Sequence, residues 1–195
     1  MKKILVPLFI LVCFITNAQI SKIKVIYVQP LGDVNPEYVK VVKQSVELFY
    51  GFTCVIKPKL DLTRDLLATS YTRYEASKIL SKFKSNENLL ILTQKDIACV
   101  NKERNSAEWG IFGLGYRPGT TCVVSTFRMH SKGSQSIFYS RLKKVCLHEI
   151  GHNLGLNHCT YDRQCMMNDA NGTIKQVDNE KIWFCNNCKK QLKLK

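Results

Sequence analysis

The stretch His148-Glu149-Ile150-Gly151-His152 commits this chain to a helix carrying two imidazoles on one face, four residues apart and within reach of a single ion. Glu149 stands beside them without having to bind the metal itself. The motif continues as Asn153-Leu154-Gly155-Leu156-Asn157-His158. Gly155 suits the left-handed conformation that ends a helix, and the turn it permits sends His158 back toward the same ion. Three histidines with one position left open describe a zinc site of the reactive kind, and Glu149 supplies the base that activating a water requires. A closed structural site would gain little from an unpaired carboxylate beside its metal.

Cysteines take over after the histidines. Cys159 follows His158 directly, Cys165 comes six positions later, and Cys185-Asn186-Asn187-Cys188 completes the set. Two cysteines three apart chelate one ion, and Cys159 with Cys165 would complete a four-thiolate site, closed and therefore structural. Such a site would crosslink a segment poor in apolar residues. Two disulfides would suit the same spacing in an oxidising compartment, and spacing alone leaves both open. Cys54, Cys99, Cys122 and Cys146 each sit in or beside an apolar element, as small buried hydrophobes or as partners in one or two disulfides.

Lys2 and Lys3, the apolar run Ile4 to Ile15 and then Thr16-Asn17-Ala18 have the order of a secretory signal over residues 1–18. That run of 12 residues is too short to span a bilayer, which takes roughly 20 in helix. Val12 is large for the position before a lipidated cysteine, so Cys13 is a poor lipoprotein start. The expectation is an exported protein, periplasmic or secreted, whose 177-residue mature chain begins at Gln19. That length supports one domain, divided into an N-terminal subdomain over 19–155 and a C-terminal one over 156–195. Lys and Arg total 29 against 15 Asp and Glu, a net charge of +14 that becomes +12 without the signal. Such a charge attracts acidic partners in a salt-dependent way. The lysines are scattered, and no base-recognition module accompanies them, so no specific nucleic acid is expected. A monomer without a transmembrane segment is expected.

The patterning is that of an α/β (α+β) chain with a mixed, twisted sheet backed by helices. Val25 to Val28 reads as a first strand, followed by a helix capped by Asn35, begun by Pro36, striped by Val39, Val42, Val46 and Phe49, and ended at Gly51. Thr53 to Lys57 reads as a strand, the region around Tyr74, Ile79, Leu80 and Phe83 as a helix, and Leu89 to Thr93 as a central strand buried on both faces. Between Lys95 and Arg117 the pattern weakens, with one short edge strand at Trp109 to Leu114. Thr121 to Ser125 is a strand, and a long helix runs from about Ser136 to Leu154. His130 reads as a loop histidine, and Trp183-Phe184 as core for the C-terminal subdomain.

With these residues in view, HEIGHNLGLNH resembles the metzincin zinc peptidases. His158-Cys159 with Cys165-Met166-Met167 and Cys185-Asn186-Asn187-Cys188 resembles, more narrowly, the archaemetzincins. The resemblance implies a metzincin-like zincin fold with two Zn2+ per chain: His148, His152 and His158 holding the catalytic zinc, and Cys159, Cys165, Cys185 and Cys188 holding a structural one. It also implies Glu149 as general base and Met167 as the Met-turn residue beneath the histidines, with Met166 as ordinary core. One departure is the five residues from Thr160 to Gln164, where the family pattern has four. The implied function is hydrolysis of peptide bonds in peptides or proteins, with the strand near Ile111 to Leu114 pairing with extended substrate; the family resemblance suggests aminopeptidase behaviour, and the sequence leaves terminal and internal bonds both open. The alternative is a non-catalytic, zinc-stabilised secreted protein that binds acidic partners.

Overall fold

The computed structural model describes residues 25–130 and 133–192, so the expected export segment, residues 1–18, lies outside the described part. Strand β1 (Val25–Pro30) leads into helix α1 (Pro36–Tyr50). Asn35 caps α1 by accepting a hydrogen bond from the Glu37 amide at 2.9 Å, and Gly51, at φ +67°, ends it by donating to the Glu47 carbonyl. The chain continues through β2 (Thr53–Ile56), β3 (Tyr74–Glu75), α2 (Ala76–Lys82), β4 (Asn88–Thr93), β5 (Ile97–Asn101), β6 (Ser106–Ile111), β7 (Gly113–Gly115) and β8 (Thr121–Ser125). It ends in the long helix α3 (Gln135–Asn153) and two short ones, α4 (Ile174–Asn179) and α5 (Asn186–Leu192).

The main sheet has the order β2-β1-β4-β8-β7, with β7 antiparallel at one edge and the other strands parallel. Alternation along its strands sorts the apolar side chains into two cores. Leu90 and Leu92 of β4 and Cys122 and Val124 of β8 face α1 and α3, whereas Leu89, Ile91 and Val123 face α2. Each such fully buried leucine or isoleucine contributes about 1.5–3 kcal/mol relative to exposure, which is why β4 lies at the centre. Leu156, Met166, Met167 and Phe184 join the same core as α1 and α3, and Phe184 meets Phe49 edge-on at 5.0 Å between ring centres. The C-terminal segment thus packs on α1 and on α3, the helix that carries the histidine motif.

Between residues 95 and 117 the structure departs from the sequence pattern. The single edge strand expected at Trp109 to Leu114 is two strands: β6 belongs to a separate sheet of order β3-β5-β6, and β7 to the main sheet. The break falls at Phe112, whose side chain is buried in the main core and whose carbonyl accepts from the Ser125 amide at 2.8 Å. Strands β3 and β5 carry too little continuous apolar sequence to be seen before their pairing is known. His130 is exposed and stacks on Phe138 at 4.4 Å. Among the described residues no helix is long and apolar enough to cross a membrane.

Candidate metal centre

Helix α3 is buried on almost every side. Phe138, Leu142, Cys146, Leu147 and Ile150 fill the core, and two of its cations, Arg141 and Lys144, are pinned rather than solvated. The buried Arg141 guanidinium forms two 2.7 Å bonds to the Asp178 carboxylate of α4 and donates to the Met129 carbonyl. Lys144 donates to the Val177 carbonyl at 2.7 Å. These contacts hold α4 against the turn that precedes the histidines.

The last two turns of α3 present His148, Glu149 and His152. The helix ends at Gly155, φ +103°, with the Leu156 amide donating to the Gly151 carbonyl and the Gly155 amide to that of His152. This left-handed ending reverses the chain and returns His158 to the other two histidines. The ligand atoms of His148, His152 and His158 all lie within 4.8 Å of one another. His148 Nδ1 pairs with the Met166 carbonyl at 2.7 Å and His152 Nδ1 with the Leu156 carbonyl at 2.8 Å. A carbonyl accepts only, so each Nδ1 carries the proton and each Nε2 keeps its lone pair for a cation. His158 Nδ1 lies 3.7 Å from an Asp169 carboxylate oxygen. Burial and the neighbouring imidazoles hold His148 down at about 3, and burial likewise lowers His152, so both are in the neutral, ligating form at neutral pH.

Glu149 is 6% exposed, and its carboxylate lies against β7. A Cβ on Gly113 would stand 2.6 Å from its Oε1, and one on Gly115 would stand 3.2 Å from its Oε2. Two glycines in three residues let the edge strand pass at this distance. Burial pushes the Glu149 carboxyl up to about 8, and a cation held by the histidines would pull it back toward ionisation. Met167 lies under the same helix: a Cβ on Gly151 would stand 2.6 Å from its Sδ. Met166 and Met167 are both fully buried, and it is the Met166 carbonyl that orients His148.

The four C-terminal cysteines form a second, closed cluster. All are buried, with their sulfurs within 4.8 Å of one another. Cys159 and Cys185 sulfurs are 3.6 Å apart and those of Cys165 and Cys188 3.7 Å. A disulfide bond is about 2.05 Å long, whereas four sulfurs at roughly 2.3 Å from a tetrahedral zinc stand roughly 3.8 Å apart, so the spacing fits zinc. The extra residue between Cys159 and Cys165 is taken up in a turn, where the Cys165 amide donates to the Asp162 carbonyl and the Gln164 amide to the Asp162 carboxylate. Cys54, Cys122 and Cys146 are buried free thiols and Cys99 a half-buried one.

A cavity of about 470 Å³ opens over the histidines, walled by β6, β7, α3 and the segment from Asn168 to Glu180. Sequence reasoning missed the close glycines 113, 115 and 151 and two wall residues, Lys144 and Glu180. The Gly113-Leu114-Gly115 repeat was the one visible signal.

The comparisons agree with this fold. Peptidase family M54 matches residues 33–194. An archaemetzincin of Halobacterium salinarum is 28% identical over 172 residues, covering 83% of this chain and 95% of its own. An archaemetzincin of Archaeoglobus fulgidus is 30% identical over 168 residues, covering 86% and 98%. The crystal structure of archaemetzincin from that organism, complexed with malonate, superposes with a TM-score of 0.75 over 86% of this chain and 99% of the other. That of Methanopyrus kandleri, at 24% identity and over 89% and 96% of the two chains, shares the fold with a TM-score of 0.73. The chain belongs to peptidase family M54, the archaemetzincins, and is a zinc metallopeptidase.

Proposed function

We propose that His148, His152 and His158 hold the catalytic zinc, that Glu149 is the general base, and that Cys159, Cys165, Cys185 and Cys188 hold a second, structural zinc. The observation that carries the reading is the convergence of three imidazoles, two with Nδ1 tied to backbone carbonyls, beside a buried carboxylate that no protein donor occupies among the described residues. Zinc in such a site polarises the scissile carbonyl and acidifies a water. Glu149 takes the proton of that water at its carboxylate and hands it to the departing amine. Met167, beneath Gly151, is the apolar floor that keeps the histidine-bearing turn from sinking.

Strand β7 ends the main sheet, and its free edge beside Glu149 suits an extended peptide added as a further strand. Trp109 of β6 packs against Gly172 of the opposite wall and bounds the cleft there. Aminopeptidase character is tested by comparing hydrolysis of free and N-acetylated peptides, where a free amino terminus should be required. Residues 1–18 are read as an export signal, which the mass of released protein checks directly, since cleavage after Ala18 leaves Gln19 first. The central test is Glu149→Gln: turnover of a peptide substrate should fall about 10²–10⁴-fold while zinc per chain stays unchanged. Undiminished turnover would remove Glu149 from the mechanism.

A further inference from the structure

The cavity wall holds a carboxylate that hydrolysis does not use. Glu180, just after α4, lines the cavity but is only 6% exposed. One oxygen accepts a hydrogen bond from Gln176 Nε2 at 3.3 Å, and the other has no partner among the described residues. Lys144, in the same wall, is committed elsewhere: its ammonium donates to the carbonyls of Val177 at 2.7 Å and Asp178 at 3.4 Å, and it forms no ion pair with Glu180. Asp169, half exposed between Glu180 and His158, adds a second negative charge to that side. The Lys144 ammonium faces Glu180 through space but is bonded elsewhere, so it offsets only part of the burial, which pushes Glu180 up to about 7. A cation brought into the cavity would relieve it.

Position sets which cation. Lys144 precedes His148 by one helical turn, about 6 Å along α3, and Glu180 lines the same cavity close to Lys144. An extended peptide advances about 3.4 Å per residue, so a side chain one or two positions from the reacting carbonyl reaches this wall. We propose that Glu180 is a specificity-determining residue, whose carboxylate receives the ammonium or guanidinium of a lysine or arginine side chain beside the scissile bond. The proposal rests on the peptidase reading of the histidine site. It is also compatible with the basic surface: the long-range field of a +14 chain draws acidic substrates, while Glu180 chooses one residue at the bond.

The test uses N-acetylated hexapeptides in which a single lysine is moved through the positions, each paired with norleucine at the same place. Binding to the zinc-loaded Glu149→Gln protein is measured by calorimetry, and again with Glu180→Gln added. At one position lysine should bind about tenfold more tightly than norleucine, and Glu180→Gln should close that gap while leaving norleucine affinity within about twofold. Equal affinities at every position, or a gap that survives Glu180→Gln, would overturn the proposal. A gap seen only with unacetylated peptides would assign the carboxylate to the substrate α-amine and overturn the side-chain assignment. Cleavage of the same peptides by the unaltered protein is read separately. A Glu180-dependent gap with cleavage of neither the acetylated nor the unacetylated peptides would support the subsite and sink the hydrolytic reading.

Discussion

The two clusters of metal-binding side chains lie a few residues apart in sequence, His158 beside Cys159, yet they differ in every property that matters for chemistry. The histidine cluster grades from buried His152 to exposed His158, opens into a cavity of about 470 Å³ and has Glu149 at its side. The cysteine cluster is buried at all four positions, brings its four sulfurs within 4.8 Å of one another and, among the described residues, has no carboxylate grouped with it. The first arrangement leaves a position for a reactant, and the second leaves none. What separates a reactive site from a brace is thus less the donors than the space beside them.

Breaking each cluster in turn gives the largest effects. Structural zinc in small cysteine sites is worth about 10–16 kcal/mol of apparent binding energy, so Cys188→Ser should release one zinc and unfold the segment after Gly155. Hydrogen exchange would then show fast-exchanging amides from Cys159 to Cys188 and, through the shared core, a loosened α3. His158→Ala should instead abolish turnover with protection in α3 intact, because His158 is exposed and ends no element. If both variants kept their exchange pattern, the cysteine cluster would be no brace. A subtler break is Gly113→Ala, whose new methyl would meet the Glu149 carboxylate at 2.6–2.8 Å. Displacing the base by about 1 Å costs on the order of 10²-fold, and kcat should fall by that factor with both zincs retained.

The same contrast explains what can be read from the sequence. The convergence of the histidines follows from local rules, since positions 148 and 152 share a helix face and Gly155 permits the return of His158. The caps of α1 at Asn35 and Gly51 and the double burial of β4 are legible for the same reason, because each depends on neighbours in the chain. Grouping the cysteines is legible from spacing, but the preference for zinc over disulfides rests on sulfur separations, which spacing does not give. Strands β5 and β6, the break at Phe112 and the approach of Gly113 to Glu149 are tertiary facts. The pairing of β3 with β5 and the approach of Gly113 to Glu149 span tens of residues, and even the local β5–β6 hairpin carries no period in the sequence that marks it. Glu180 is hidden for that reason as well, one acidic residue among 15 until the wall of a cavity forms around it.

The smallest effect tests whether the brace and the reactive site act as one unit. Arg141 lies on α3 seven residues before His148, and Asp178 lies on α4, in the chain between Cys165 and Cys185, so their bidentate pair ties the two regions together. The Arg141 guanidinium holds the Asp178 carboxyl below its ordinary range. A carboxyl depressed in the folded state stabilises above its unfolded value, about 3.9, and that stability is lost as pH falls through the lower folded value. Because the Asp178 side chain is 37% exposed, solvent weakens the pair, and Asp178→Asn should cost about 2 kcal/mol at pH 7, near 5 °C in Tm. The difference from the unaltered protein should shrink below about pH 4, where the carboxyl protonates first in the unfolded chain, and vanish at lower pH, where it protonates in the folded one as well. If the tie also positions the histidines, the variant should bind zinc more weakly at the reactive site while the cysteine site keeps its metal. A loss of Tm with both zinc affinities unchanged would mean that α4 supports the fold without steering the histidines.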